Sequence, residues 1–490
     1  MKISKSIIYA SLFAFFIGVL FPITSLHGDS AAPIAELIRN NNGQNIYLDY
    51  LLPFGPFSLI FSKLLNIHNH EYLISIILSG LSNFLYFTCI YKICFKFSNE
   101  NEISIMSALI SAIWFTPMVD GYYYDNTAIL LGMMAFLALN VYKENVIGYA
   151  ISGLLCGLSV LVKQNTGIAI GFPLVLYIIF CKEFVGFKKL YFFAFGGFLA
   201  ILMAGIYLYA IGGLSGFYNV FVENAIRYGR NSERGNYNSI INNIIFPYQQ
   251  NYFKIVISTG VLLFIPMVIL QYALYVETLK ANRKILNFYI FIITGSILTQ
   301  LLVGRGILNL CYFAGLQFFV VTCYPRVNRT RKLIFLLLFG IGVLFAFKDF
   351  VVNYYGKKNV FINSVYYNEQ HKCSMSIDEL LKFSNKYPDK FNVSFIGFSD
   401  SNLLPIVLNK FPVNYLIFYN TFIYDKNRDE EWQDLEIKNI KKFKPKIIIM
   451  PKNSCKTMGD ISLIQRYLDS NYIISDIFDK YYIYEPKSNI

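Results

Sequence analysis

The sequence predicts a polytopic α-helical membrane protein, with about eleven transmembrane helices and a C-terminal extracytoplasmic α/β domain. Three observations carry that reading. Apolar side chains make up 55% of the 490 residues and charged ones only 15%, too apolar a balance for ordinary soluble domains. Apolar runs of roughly 17 to 23 residues, long enough to span a bilayer as helix, recur up to residue 352. Beyond it the apolar runs shorten to strand length and alternate with polar helical stretches. Backbone amides in hydrocarbon have no water to bond, so continuous apolar runs fold as helices, whereas barrel strands would alternate.

The first span, 7–24, follows Met1-Lys-Ile-Ser-Lys5 and has the look of a signal peptide. The following Phe21-Pro-Ile-Thr-Ser-Leu-His27 offers no small-x-small cleavage site, so the span is read as retained. Further spans are expected at 72–94, 103–119, 127–142, 146–162, 166–181, 190–210, 255–276, 285–303, 307–323 and 333–352. With the N-terminus in the cytoplasm, Lys92, Lys143, Lys188, Arg283 and Arg329, with their basic neighbours, all fall inside, as the positive-inside rule requires. The net charge of +13 is therefore a topological signal, and no nucleic-acid partner is expected. Abundant Asn, Lys, Ile, Phe and Tyr fit an AT-rich bacterial genome, so the expected location is the bacterial inner (cell) membrane.

The long segments 25–71 and 211–254, and the tail from 353, then lie outside. Phe57, Ile60, Phe61 and Leu64 follow Pro56 at helical spacing, as do Leu214, Phe217, Phe221 and Ala225. Each pattern predicts an outer juxtamembrane helix, lying in the interface or covering the bundle. The expected organisation is a transmembrane bundle over 1–352 and an outer domain over 353–490. In that domain 391–398, 414–418 and 446–450 read as strands, and 402–410 and 431–443 as helices. Gly397-Phe-Ser-Asp-Ser-Asn402 is not a dinucleotide fingerprint and there is no Walker loop, so no nucleotide is assigned. The cysteines show no CxxC or His pairing that would hold zinc; Cys373 and Cys455 in the tail leave a disulfide or two free thiols open.

Asp29 stands just past the first span, where a lipid carrier meets a water-borne acceptor. A carboxylate there suits a general base that takes the proton of an attacking hydroxyl, and it equally suits the cap of a helix beginning at Ser30. Asp120 and Asp125 lie at the outer end of another span, where an acid is costly unless paired, used or solvated. Lys163, Arg227, Arg230, Arg234 and Arg305 fall on the outer boundary. They suit stabilisation of a departing anion, while snorkelling to headgroups accounts for any one alone.

The order of parts resembles the GT-C superfamily of polytopic glycosyltransferases, in the branch of the dolichyl-phosphate-mannose protein mannosyltransferases and the lipid A aminoarabinose transferases. The matching residues are Asp29, the Gly43-x-x-x-Tyr47-x-Asp49 run leading to Gly55-Pro56, Gly153-Leu-Leu-Cys-Gly157-Leu-Ser-Val-Leu-Val-Lys163-Gln164, and Arg305 before a late span. The resemblance implies inverting transfer of a sugar from a polyprenyl-phosphate donor to a hydroxyl of a glycan, lipid or protein acceptor, on the extracytoplasmic face. It implies Asp29 as catalytic base, and substrate-binding roles for Asp49, Asp125, Lys163, Arg227, Arg230 and Arg305. Some members use a divalent metal (Mg or Mn), for which Asp29 or Asp125 would be the ligand. This sequence offers one acid at that point rather than an adjacent pair. An O-antigen-type polysaccharide polymerase and a flippase of lipid-linked saccharide are the alternative readings.

Overall fold

The computed structural model describes residues 5–24, 28–52, 55–57, 70–115, 124–142, 144–180, 187–223, six positions within 288–298, 313–323, 359–363, 365–368, 375–396, 403–415, 429–452, 460–478 and 481–487. The chain divides into two compact units. One comprises Met1–Pro22, Ile76–Ala204 and Gly229–Tyr355; the other comprises Ile23–Ser75, Gly205–Tyr228 and Gly356–Ile490.

The helices of the first stretch are α1 (Lys5–Thr24), α2 (Gly28–Asn41), α3 (Glu71–Ser98), α4 (Asn101–Phe115), α5 (Tyr124–Val141), α6 (Val146–Val162), α7 (Gln164–Phe180), α8 (Phe187–Ala210), the short α9 (Leu214–Phe217) and α10 (Ala314–Cys323). Among the described residues α3, α5 and α8 are long and apolar enough to cross a membrane, and α1, α4, α6 and α7 carry shorter apolar stretches. The expected spans from 7–24 to 190–210 thus coincide with α1 and α3 to α8, and α10 occupies the end of the expected span 307–323. The expected spans 255–276 and 333–352, and most of 285–303, lie outside the described residues.

Small and hydroxylated residues bring the helices of the first unit together, since apolar packing alone gains little between helices in lipid. On α6, Ser159 donates to the Ala128 carbonyl (2.6 Å) and Ser152 to the Ala135 carbonyl (2.8 Å), which fixes α5 and α6 as an antiparallel pair. Gly153 and Gly157 of α6 face α8: a Cβ on Gly153 would sit 1.8 Å from the Phe193 carbonyl oxygen, and one on Gly157 3.0 Å from that of Gly197. Both glycines belong to the run singled out in the sequence, and close helix approach accounts for them. α8 itself exposes Tyr191, Phe198, Ile201, Ile206 and Tyr209, a surface suited to acyl chains.

The second unit is an α/β fold. After the hairpin β1 (Asn359–Ile362) and β2 (Val365–Asn368) come α11 (Ile377–Lys386), β3 (Asn392–Phe395), α12 (Leu403–Val407), β4 (Phe411–Pro412), α13 (Asp429–Phe443), β5 (Ile447–Pro451), α14 (Ser462–Asn471), β6 (Tyr472–Ile477) and β7 (Tyr481–Pro486). The five-stranded sheet has the order β4-β3-β5-β7-β6; β4, β3 and β5 are parallel, and β7 is antiparallel to β5 and to β6. Central β5 is buried along its whole length, as a strand covered on both faces must be. α11 begins with a capping box in which Ser376 and Glu379 each bond the other's backbone N–H.

This sheet does not close its core with tail residues alone. Ala31, Ile34 and Ile38 of α2, at helical spacing, pack in the same apolar cluster as Leu380, Phe395, Leu404, Val407 and Ile449. Residues 28–52 are therefore part of the α/β unit, although the sequence places them with the outer loops of the bundle.

Ahead of the strand expected at 414–418, β4 spans Phe411–Pro412, and the described residues Asn414 and Tyr415 are not in a strand. Beyond β4 the Val413 N–H still donates to the Val393 carbonyl of β3, and side chains take up much of the remaining backbone. Arg39 and Asn439 donate to the carbonyls of Asn414 and Val413, and the Tyr415 N–H donates to Glu436. Residues 416–418 lie outside the described residues. Of the expected outer helices, 58–65 lies outside them too, and 214–223 forms α9 followed by a π-helical turn.

Candidate active site

In the helical unit the α5–α6 register places Asp125, in the first turn of α5, opposite the end of α6. There Lys163 leaves the helix in an extended conformation (φ −151°, ψ 110°), and α7 begins at the next residue. The break turns the Lys163 ammonium onto Asp125 Oδ2 at 2.7 Å, while Thr166 in the first turn of α7 donates to Asp125 Oδ1. Asp125 is fully buried and the Lys163 side chain is 10% exposed. Their mutual attraction offsets part of the desolvation cost that either charge alone would carry in full. The sequence flags each residue as a boundary charge; the structure brings the two together.

In the α/β unit, Asp29 is the second residue of α2, so the helix begins at Gly28 rather than at Ser30 and the expected capping position moves inside the first turn. The Asp29 side chain lies outside the described residues. The far end of α2 carries a buried arginine. Arg39 Nη1 donates to the Asn414 carbonyl (2.8 Å) and to Gln44 Oε1 (3.1 Å), Nη2 donates to Asn414 Oδ1 (2.8 Å), and the guanidinium lies 5.3 Å from the centre of the Tyr50 ring. Gln44 Nε2 in turn donates to the Pro412 carbonyl (2.7 Å).

The run Gly43-x-x-x-Tyr47-x-Asp49 now has a local account. Gly43 (φ 76°) ends α2 in the left-handed conformation that glycine adopts without strain. Tyr47 holds φ 62°, uncommon for a residue with a ring, and its backbone is closely approached: a Cβ on Gly216 would lie 2.1 Å from its carbonyl oxygen. Asp49 is buried; Oδ2 accepts the Asn45 N–H (2.9 Å), Oδ1 pairs with Lys442, and Asn439 bonds its carbonyl. Burial, reinforced by the Glu36 charge, raises the pKa of both Tyr47 and Tyr50 well above the ordinary phenol range.

Arg227, Arg230, Arg234, Arg305 and Asp120, with Cys373 and Cys455, lie outside the described residues. Sequence reasoning missed Arg39, Asn414, Asn439 and Lys442. The partners of the Arg39–Asn414 contact are 375 positions apart, a distance that no local pattern signals. As for a divalent metal, no group of three or more His, Cys, Asp or Glu gathers among the described residues. Asp125 accepts an ammonium on one oxygen and a hydroxyl on the other.

Residues 52–276 match the model of glycosyltransferase family 87. No curated protein matches the chain significantly. Among solved structures it is similar to the oligosaccharyltransferase of Archaeoglobus fulgidus. The apo form is 12% identical with a TM-score of 0.47, over 99% of this chain and 74% of that one. The form tethered to an acceptor peptide containing the NVT sequon is 12% identical with a TM-score of 0.48, over 98% and 74%. The complex of that enzyme, AglB, with an inhibitory peptide and a dolichol-phosphate is 12% identical with a TM-score of 0.45, over 99% and 75%. The apolar helices, with the match of residues 52–276 to glycosyltransferase family 87, support a membrane glycosyltransferase.

Proposed function

We propose that this glycosyltransferase moves a sugar from a polyprenyl-phosphate donor to an acceptor hydroxyl on the extracytoplasmic face of a bacterial inner membrane, with inversion. Asp29 takes the acceptor proton as the hydroxyl oxygen attacks the anomeric carbon. The bond from that carbon to the phosphate oxygen breaks on the opposite side, and its electron pair leaves with the lipid phosphate. Lys163, Arg227, Arg230 and Arg305 offset the charge that builds on the phosphate, with Asp125 holding Lys163 and Asp49 securing the first outer segment.

The packing of α2 in the core of the α/β unit carries this reading. The three stretches Ile23–Ser75, Gly205–Tyr228 and Gly356–Ile490 group as one compact unit, which supports reading them as lying on one side of the membrane. The spans expected between them number six and then four, both even. This parity supports about eleven crossings in all, an extracytoplasmic tail, and the acid of α2 on the same side as that tail.

The test is sugar transfer in membranes supplied with polyprenyl-phosphate-linked tritiated mannose, glucose, galactose or arabinose. Asp29→Asn is expected to insert and fold normally and to lose at least about 100-fold in transfer, as removal of a general base does. Full activity in that variant would place the base elsewhere, and a ladder of repeat units in place of a single added sugar would make the enzyme a polymerase.

A further inference from the structure

We propose that the C-terminal α/β domain acts in the transfer reaction itself as a positioning element, with Arg39 and Asn414 as positioning residues that set where Asp29 stands. The inference rests on the reading of Asp29 as the base. Asp29 and Arg39 share α2, about 15 Å apart along a helix axis that rises 1.5 Å per residue. One side of that helix is fixed by Ala31, Ile34 and Ile38 in the tail's core. Its C-terminal end is fixed by the guanidinium, whose two Nη atoms fork onto the carbonyl and the side-chain oxygen of Asn414.

The turn after α2 is tied to the same strand end and to α13: Gln44 bonds the Pro412 carbonyl, the Leu51 N–H donates to the Tyr415 carbonyl, and Asp49 pairs with Lys442 of α13. The tail therefore fixes the rotation and the axial position of α2 through both its apolar side and its C-terminal end. A base must reach its proton within hydrogen-bond distance, and a displacement of about 1 Å costs on the order of 100-fold in rate.

The experiment uses the full-length chain in the cell membranes that supply its acceptor hydroxyl, with decaprenyl-phosphate-linked mannose, glucose, galactose and arabinose as probe donors and released decaprenyl phosphate measured per folded molecule. Asn414→Leu is expected to lower kcat about 10- to 100-fold with donor KM within about twofold. Asn414→Asp keeps an oxygen for Arg39 and is expected to return kcat to within about threefold of wild type. Wild-type kcat in Asn414→Leu alongside an inactive Asp29→Asn overturns the positioning role and leaves the base in place. An active Asp29→Asn overturns the base reading instead, and turnover of none of the four donors overturns the donor class and this proposal with it. A raised KM with unchanged kcat would make the tail a binding module rather than a positioning one. Should Asn414→Leu not fold, Lys442→Met decides at the exposed rim of the same joint: a several-fold fall in kcat that Lys442→Arg restores supports the role, and an unchanged kcat contradicts it.

Discussion

Lys163 and Asp125 show what a buried pair does and how to separate its structural work from its chemical work. Lys163→Met strands a carboxylate with no exposure and is expected to cost about 3–5 kcal/mol, read as a lower melting temperature in detergent. Replacing both, as Asp125→Leu with Lys163→Met, is expected to recover most of that loss, because no unpaired charge remains. If Lys163 also meets the donor phosphate, the double variant regains stability and not turnover; recovery of both would assign the pair to folding alone. In the tail, Lys410 donates to the carbonyls of Tyr387 and Asp389. Burial pushes its pKa down to about 8, with Asp389 opposing and Lys446 reinforcing the shift. The unfolded chain then holds a proton that the folded one has lost between pH 8 and the ordinary value of 10.5. Stability from this group is flat below pH 8 and rises with pH across that window. Denaturation midpoints from pH 7 to 10.5 are expected to climb more steeply in the wild type than in Lys410→Met, and parallel curves would refute the shift. At this scale the sequence announces boundary charges but not their partners. Asp125 and Lys163 are legible one at a time, whereas Arg39 looks like an ordinary polar residue of an amphipathic helix and is buried only because a strand end 375 positions away receives it.

Helices were the most legible elements, because a membrane span writes its length and its apolarity into consecutive residues. α6 matches its expected bounds at both ends, and α3, α5, α7 and α8 differ from theirs by a few residues. β5 was legible because burial on both faces makes a continuous apolar run, whereas β3, Asn-Val-Ser-Phe, alternates polar and apolar residues. Edge strand β6 exposes Ile473, Ile474 and Ile477 and carries no such signature. Of the expected strand 414–418 only Asn414 and Tyr415 are described; Arg39 bonds the carbonyl of the first and Glu436 the N–H of the second, contacts no local pattern announces. The capping box at Ser376 and Glu379 was a local start signal, present in the sequence, that marks α11. Glycines separate the packed faces of these helices from the open ones. Gly153→Ala places a methyl group against the backbone of α8, which cannot move aside as a side chain would, and is expected to destabilise by at least about 1–3 kcal/mol. Gly205→Ala on α8 meets nothing within 4 Å and is expected to be neutral or to stabilise by up to about 1 kcal/mol through helix propensity. Thermal unfolding of the two variants in one detergent checks the contrast, and equal melting temperatures would contradict the packing described for α6 and α8.

Across the whole molecule, composition and run length suffice for a membrane bundle with a structured tail, and they misplace one segment. Local pattern assigns residues 28–52 to an outer loop because the apolar spacing of α2 is too short to announce what it packs against. Only the three-dimensional fold shows that Ala31, Ile34 and Ile38 complete the core of a domain that begins some 330 residues later. That long-range closure links α2, and the acid on it, to the tail, and the proposed topology rests on it. It is tested most directly by sided labelling in intact cells, in a chain whose eight native cysteines have been replaced. Single cysteines are introduced at Leu48 and at Lys441, both exposed. Both are expected to react with a membrane-impermeant maleimide applied from outside. Reaction only after the membrane is opened would put the base and the tail in the cytoplasm and contradict the account.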